Sequence, residues 1–533
     1  SAGSWSLTIK DREELAGMSE EWLERNCFNR HATPKWYITL GDVEEVLRNC
    51  AVEKTRKACW MGWNTRLGNG KKFNNAPVVY SLMAVRQEIA ELTGFKNFAD
   101  VVCKHRMVNS GDKALAFVDD MMDRLMPAFN REQQELLDFV SGLKGEKVEE
   151  IAPWDYTFYS AQLAKKHSDF DAESVRPYFS CDKVVKGMLD IASKLYGVTF
   201  TELPTYTMMQ GTPTPSAWWN GNILDLSKSA LPEGAVEVWN TDVKVYKVTD
   251  DKTGEHIGSF YMDLFTHYGK QGGAWTHALR PGHPARNGGA KRPHLAALMC
   301  NFPGASMDAP ALLDLRDVET VFHEFGHMLH ALFCENDLNF FSMRNVPPDF
   351  AELPSQLNEQ YATDPACLAT FAFHYKTGEP MPAELMQQLL ANRDFHPATN
   401  EMRSLHRAKL DLELHMHFKE KFVGKPLDEV TASLIAPWKF PWTRPEASFV
   451  RYFSHSISKG YSAAFFSYAW ADVLAADAFA RFKQDGLTNP ATGDAYRRKV
   501  LRHGCGLPAD ELYRDFMGRD PKPDALLERL FKE

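Results

Sequence analysis

The stretch VETVFHEFGHMLHALFC, Val318 to Cys334, constrains this chain more than any other. On a helix, His323 and His327 stand at i and i+4, so both imidazoles leave one face a turn apart and can grip one metal ion, with zinc the default. The helix has support of its own. Val318, Phe322, Phe325, Leu329 and Leu332 recur at three- and four-residue steps, and Asp314 with Asp317 reads as an amino-terminal cap. Read without chemistry, His323, Glu324 and His327 would be a hydrogen-bonded cluster on an amphipathic surface helix. The flanks speak against that, because Phe322, Phe325 and Gly326 surround the polar residues with apolar or absent side chains. Gly326 costs about 1 kcal/mol in a helix relative to alanine, which points to close packing at that position.

A hydrolytic metal site needs a third protein ligand and an open position. The extended pattern HExxHxxGxxH is excluded, since its glycine position is His330 and its last histidine position is Phe333. A carboxylate from a following helix remains. In DFAELPSQLNEQY, Glu352 and Glu359 lie seven residues apart and share a helical face, with Glu352 as the ligand and Glu359 as its supporting neighbour. Spacing alone leaves a second reading of Glu352 open: Asp349 precedes it by three, as in a capping box. Glu319, four residues before His323, is the expected partner for that ring's other nitrogen, or else a member of a surface ion pair.

FHEFGHMLH, followed by DFAELPSQLNEQY and then by FSHSISKGYSAAFFSYAWADVLAADAF, resembles the zinc oligopeptidase family of thimet oligopeptidase, neurolysin and oligopeptidase A, with the greatest likeness to oligopeptidase A. LTIKDREELAGM, the tract around GSFYMDLF and KQGGAW, LMCNF and GRDPKPDALL match in the same order, so the resemblance spans nearly the whole chain. It implies one Zn2+ held by His323, His327 and Glu352, with Glu324 as the catalytic carboxylate. It also implies that Tyr461, Tyr468 and His455 face the metal across a cleft. Phe465 departs from the family, which usually carries tyrosine there. Relatives have a further helical region ahead of the LTIKDREELAGM-like stretch, so an amino-terminal segment or a second chain is expected beyond this sequence.

Bulk properties narrow the rest. At 533 residues and 44% hydrophobic the chain can bury a large core, and its length suggests more than one lobe. A net charge of −9 with both signs interspersed gives no basic footprint for nucleic acid or an anionic membrane. Nine cysteines without a CxxC pair suit free thiols and a cytoplasmic setting. No apolar run approaches membrane-spanning length, and the first residues hold no signal-peptide core.

From Asp11 to about Tyr196 the pattern predicts scaffold helices, broken near Pro153 and Pro177, with the aromatics of APWDYTFYSAQLA in the core. Residues 205–240, rich in Pro, Gly, Ser and Trp, read as an insertion. DVKVYKV and HIGSFYMDLF around Gly254 predict a hairpin, and GGAWTHAL and HLAALMCNF further strands, with GGAW as a sheet edge able to take an extended peptide. Residues 364–425 read as helices, on which His406, His415 and His417 belong to a solvated face. Tyr461, Phe465, Tyr468 and Asp472 recur as one helical face.

The expected fold is mostly α with a small β-sheet near the metal, two lobes flanking a deep channel, and regions 1–204, 205–305 and 306–533. The expected activity is hydrolysis of internal bonds in short unstructured peptides. Its rivals are release of carboxy-terminal dipeptides and, from another class, peptide binding without catalysis. An aminopeptidase is disfavoured for want of a GxMEN-like segment.

Overall fold

The computed structural model describes residues 5–28, 33–68, 73–167, 172–207, 233–267, 269–285, 290–305, 309–393, 395–444, 447, 449–458 and 460–531. Most of them are helical, as expected, with a small sheet. The chain divides into two compact units, each made from two stretches: 1–169 with 394–469, and 170–393 with 470–533.

The first unit opens with a three-stranded antiparallel sheet that the helical reading did not anticipate: β1 (Ser6–Ile9), β2 (Cys27–Phe28) and β3 (Lys35–Thr39) in the order β1-β3-β2. In β3, Trp36 and Ile38 are buried while Tyr37 is exposed, an alternation of period two too short to stand out in the sequence. Helices then dominate. The longest, Gly111–Lys144, starts where the Ser110 side chain accepts from the backbone N–H of Lys113 and stops at Gly145, whose φ of +70° only glycine adopts cheaply. Pro153 opens the helix Pro153–His167, and Tyr156 from its aromatic tract is 2% exposed, in the core as expected.

The long helix packs against Pro397–Met416, which is buried continuously from Ala408 to Met416. This corrects the solvated reading of the histidines: His406 and His415 are buried and His417 half-buried. The helix looks polar in sequence because its buried charges are paired. Lys409 reaches Asp119 at 2.7 Å, and Glu413 meets Lys421 at 2.6 Å and His417 at 2.7 Å.

The second unit carries a five-stranded mixed sheet built from β4 (Val198–Leu203), β7 (Lys244–Asp250), β8 (His256–Phe265), β9 (Trp275–Arg280) and β10 (His294–Phe302), in the order β4-β7-β8-β10-β9. The β7–β8 pair is the expected hairpin, turning at Gly254 with φ +70°. β8 and β10 run parallel, and β9 closes one edge antiparallel to β10, so the strand after GGAW is an edge strand. Within the expected insertion, β5 (Thr205–Tyr206) pairs with β6 (Val236–Glu237), and residues 208–232 lie outside the described residues.

The motif helix, Leu315–Phe333, lies against this sheet. Its start is the anticipated cap: the Asp314 side chain accepts from Asp317 N–H at 2.8 Å and the Asp317 carboxylate faces the Asp314 N–H in return. Val318, Phe322, Phe325, Leu329 and Leu332 are all at most 1% exposed, each contributing roughly 1.5–3 kcal/mol of burial. On another face the helix packs against Pro348–Thr363. A Cβ at Gly326 would stand 2.3 Å from the Pro354 carbonyl oxygen and 2.6 Å from Ser355 Cα, so the two backbones touch there.

Gly326→Ala tests that contact. A methyl group pressed into backbone cannot be relieved by a rotamer change, so we expect a loss of about 1–3 kcal/mol or more despite alanine's better helix propensity. A lower thermal midpoint checks it; an unchanged or raised midpoint would refute the backbone contact.

Candidate metal centre and active site

The approach of the two helices brings three donors together. Glu352 Oε2 stands 3.4 Å from His323 Nε2 and 3.2 Å from His327 Nε2. Ligands about 2.0–2.1 Å from a tetrahedral ion lie roughly 3.3–3.4 Å from one another, so the spacing fits one small divalent cation. Among the described residues this is the group of three His, Cys, Asp or Glu side chains able to hold a metal. The imidazole planes cross at 83° with centroids 5.0 Å apart, as two rings leaving one helix a turn apart should.

The electrostatics of the donors agree. Burial alone would raise the Glu352 carboxyl, but the His327 and His323 imidazoles hold it well below its ordinary range. Burial alone would lower His323, yet its hydrogen bonds to Glu352 and Glu359 carry it well above. A desolvated anion between two rings favours positive charge at its centre, which a divalent ion supplies.

Glu359 lies on the other side of His323, Oε1 2.5 Å from Nδ1. Nδ1–H donates to this carboxylate, so Nε2 is the nitrogen that would serve as donor to a metal ion in place of its proton. The orienting role therefore belongs to Glu359, and the sequence assignment to Glu319 is corrected. Glu319 instead accepts from Arg393 Nε at 2.5 Å. The capping reading of Glu352 also fails: Pro347 caps that helix, Asp349 lies in its first turn, and Glu352 is buried against the histidines. His327 Nδ1 is buried without a hydrogen-bond partner among the described residues.

Glu324 is 5% exposed, and burial pushes its carboxyl above the usual range against the pull of His327 and His323. Sequence reasoning missed its anchor. Thr276 Oγ1, on the edge strand β9, lies 3.0 Å from Glu324 Oε2 and 2.7 Å from its backbone oxygen. Ser355 stands in the same relation to Glu352, its hydroxyl 2.9 Å from both Oε2 and the main-chain oxygen. Each carboxylate is thus oriented by a hydroxyl that also grips the helix carrying it.

The first unit holds His455, Tyr461 and Tyr468 together. His455 Nε2 is 3.0 Å from the Tyr468 hydroxyl, His455 stacks on Tyr461 at 4.6 Å, and the two tyrosine rings stack at 4.9 Å and 15°. Phe465 packs beside them, 5.3 Å from Tyr468 and 5.0 Å from Phe453. The expected helical face is corrected, however, because the helix begins at Ser467 and Tyr461 to Phe466 form turns. Ala463 takes φ +55°, a left-handed conformation unusual for alanine. The buried Asp411 carboxylate makes that turn possible, accepting from the backbone N–H of Ala463 at 3.1 Å, Ala464 at 2.9 Å and Phe465 at 3.0 Å. Behind Asp411, His415 Nδ1 lies 2.8 Å from its main-chain oxygen. Arg86 donates to His415 Nε2 and to Ser462 Oγ, both at 2.8 Å. The acidic residue alternating with leucines in LDLELH was the available signal for this anchor.

Glu359→Gln is expected to keep the fold and weaken divalent-metal affinity by about 10- to 100-fold, since an amide accepts the His323 proton less strongly. Titration against a chromogenic chelator reads this, and unaltered affinity would remove Glu359 from the site.

Comparison with known proteins agrees with the geometry. Oligopeptidase A of Salmonella typhimurium is 32% identical over 536 residues, covering 98% of this chain and 73% of that protein, and oligopeptidase A of Escherichia coli gives the same values. Dipeptidyl carboxypeptidase of Escherichia coli is 28% identical over 536 residues, covering 98% of this chain and 72% of that protein. The profile of peptidase family M3 matches residues 46–531, a span that takes in both metal-donor helices and the tyrosine cluster, and the chain belongs to that family.

Proposed function

We propose that the chain is a zinc-dependent metallopeptidase that hydrolyses internal bonds of short, unstructured oligopeptides. The observation that carries this reading is the triangle of His323 Nε2, His327 Nε2 and Glu352 Oε2 beside a buried Glu324. Zinc, when bound, supplies a Lewis acid that lowers the pKa of water toward neutrality and polarises a carbonyl. Glu324, its carboxyl raised by burial and held by Thr276, accepts the proton of the attacking water and passes it to the leaving amine. Tyr468, with Tyr461 and His455, donates to the oxyanion of the tetrahedral intermediate. Phe465 adds no hydroxyl, so the donor role falls on Tyr468 first. An extended peptide can add a strand at β9, whose Thr276 reaches Glu324, and this favours extended over folded substrates.

The similarity to dipeptidyl carboxypeptidase supports a second reading, release of dipeptides from free carboxyl ends. A carboxyl-blocked, internally quenched peptide separates the two, because an internal-bond peptidase cleaves it and an enzyme that needs a free carboxyl end does not. A cytoplasmic setting is supported by the nine cysteines, all free thiols and seven of them buried. Among the described residues no helix is long and apolar enough to cross a membrane.

Three variants test the roles. Glu324→Gln is expected to retain zinc and lose turnover, whereas Glu352→Gln is expected to bind zinc more weakly because a neutral amide oxygen replaces an anionic ligand. Metal analysis alongside peptide cleavage checks both; a zinc-free Glu324→Gln or a fully loaded Glu352→Gln would exchange the assignments. Tyr468→Phe is expected to cut kcat by about 100- to 1000-fold, roughly 3–4 kcal/mol, with KM nearly unchanged, since its hydroxyl meets charge that develops in the transition state. Near-normal kcat in a fully loaded, normally melting variant would return Tyr468 to a packing role.

A further inference from the structure

Within the first unit, residues of the helices Val43–Asn49, Glu53–Asn64, Pro153–His167 and Pro397–Met416, with Trp442, Tyr452 and His455, line an open cavity of about 670 Å³, a size typical of ligand sites. Its charge is unlike that of the whole chain. Arg66, Arg403 and Arg407 all line it, in a protein of net charge −9.

Among the described residues none of these three arginines forms an ion pair. Glu44, an acid in the same wall, already faces Arg48 at 3.8 Å. Burial pushes the Arg66 and Arg403 guanidinium groups below their ordinary pKa, offset in part for Arg403 by Tyr156 and Glu44, and Arg407, which is exposed, lines the same cavity. Aromatic rings hold Arg66 and Arg403, and Arg66 also donates to the Trp63 main-chain oxygen. Arg66 lies 4.1 Å over Trp63 and 3.7 Å over Tyr452; Arg403 lies 4.7 Å over Trp442 and 5.2 Å over Tyr156. Stacking fixes the guanidinium planes and leaves in-plane N–H groups for an acceptor, and the Nε atoms of Arg66 and Arg403 have no partner among the described residues.

His406 adds an independent observation. It is 6% exposed in the same wall, and Trp442 Nε1–H donates to its Nδ1 at 3.3 Å. The ring is neutral, its pKa pushed down to about 3 by burial and by Arg407, so its proton sits on Nε2. That nitrogen also lacks a partner. Three unpaired cations and a buried orphan donor therefore meet in one aromatic-walled cavity. His455, which contacts the Tyr468 hydroxyl, belongs to the same wall.

We propose that this cavity is a subsite for a carboxylate of the peptide substrate, an inference that rests on the peptidase reading above. Arg66, Arg403 and Arg407 supply charge-assisted hydrogen bonds, and Trp60, Trp63 and Tyr452 cover the adjoining apolar part of the peptide. The carboxylate comes either from the free carboxyl end or from an Asp or Glu side chain, the chemistry being the same. The favoured substrates are acidic peptides, or peptides whose carboxyl end reaches the cavity.

The test measures binding apart from turnover. Four fluorescent peptides share one sequence, with Glu or Gln at a scanned position and a free or amidated carboxyl end. They are titrated by anisotropy against the full zinc-loaded chain carrying Glu324→Gln, alone and combined with Arg407→Gln or Arg66→Gln. A carboxylate-bearing peptide is expected to bind about ten-fold or more tightly than its neutral counterpart at low salt. That ratio is expected to fall to about two or less in each arginine variant whose thermal melt matches the parent. Whether Glu→Gln or amidation abolishes the advantage identifies the source of the carboxylate. Equal affinity for all four peptides, or a ratio untouched by both arginine variants, overturns the subsite. If the preference holds while the chain with Glu324 intact cleaves none of the four, the peptidase reading fails and the anion subsite stands.

Discussion

A carboxylate buried between two imidazoles is the contact on which the second unit is arranged. Glu352 is 4% exposed, and a desolvated anion is tolerable only where positive charge or strong hydrogen bonds compensate it. His323, His327 and the Ser355 hydroxyl provide that compensation, but only if two helices approach until their backbones touch. Gly326 permits the approach by presenting no side chain to Pro354. The hydrophobic stripe from Val318 to Leu332 then presses the motif helix onto the sheet whose edge carries Thr276, and Glu324 is positioned by the same packing. The three candidate donors, Glu324 and the sheet edge are brought together by one close crossing.

The tyrosine cluster solves a different problem by the same means. Tyr461 and Tyr468 are seven residues apart and would not stack on a continuous helix, where seven residues span about 10 Å of rise. Asp411 offers three backbone N–H groups an acceptor outside the helix, so the chain turns at Ala463 and folds Tyr461 back over Tyr468 and His455. Three such bonds compensate the buried carboxylate, and Arg86, bonded to His415 behind it, adds positive charge. Asp411 is thus the positioning residue for the hydroxyls, acting through the backbone of the turn.

What was legible in the sequence follows from this difference. The motif helix could be read because its cap, its apolar stripe and its ligands are written in one local stretch at helical period. Glu352 and Glu359 could be ordered because a seven-residue spacing survives on any helix, even one interrupted by Pro354. Non-local partners could not be read. Glu319 has the right spacing to His323, yet Arg393, more than seventy residues away in sequence, is its partner. The helical reading of Tyr461 failed because its competitor, Asp411, lies about fifty residues upstream. The burial of His406 and His415 was hidden by the charges beside them, which signal solvent only until their partners on other helices are known. The amino-terminal sheet escaped notice because two to five residues of alternation cannot outweigh the helical periodicity around them.

Some of the local irregularities fall beside the candidate sites. Gly326 and Pro354 both sit inside helices that would form more readily without them, at costs of about 1 and 3 kcal/mol in a free helix, and they touch each other beside the metal donors. Ala463, at φ +55°, lies in the turn that stacks the tyrosines. His327 Nδ1 and His406 Nε2 are buried polar atoms without partners among the described residues, one on a metal-donor ring and one in the arginine-lined cavity. Folding alone selects against each of these features, and packing elsewhere must offset them. Irregularities of the same kinds lie elsewhere, such as Pro127 inside the long helix and Asn109 at φ +66°, so those beside the donors, the hydroxyls and the cationic cavity gain meaning only from the geometry around them.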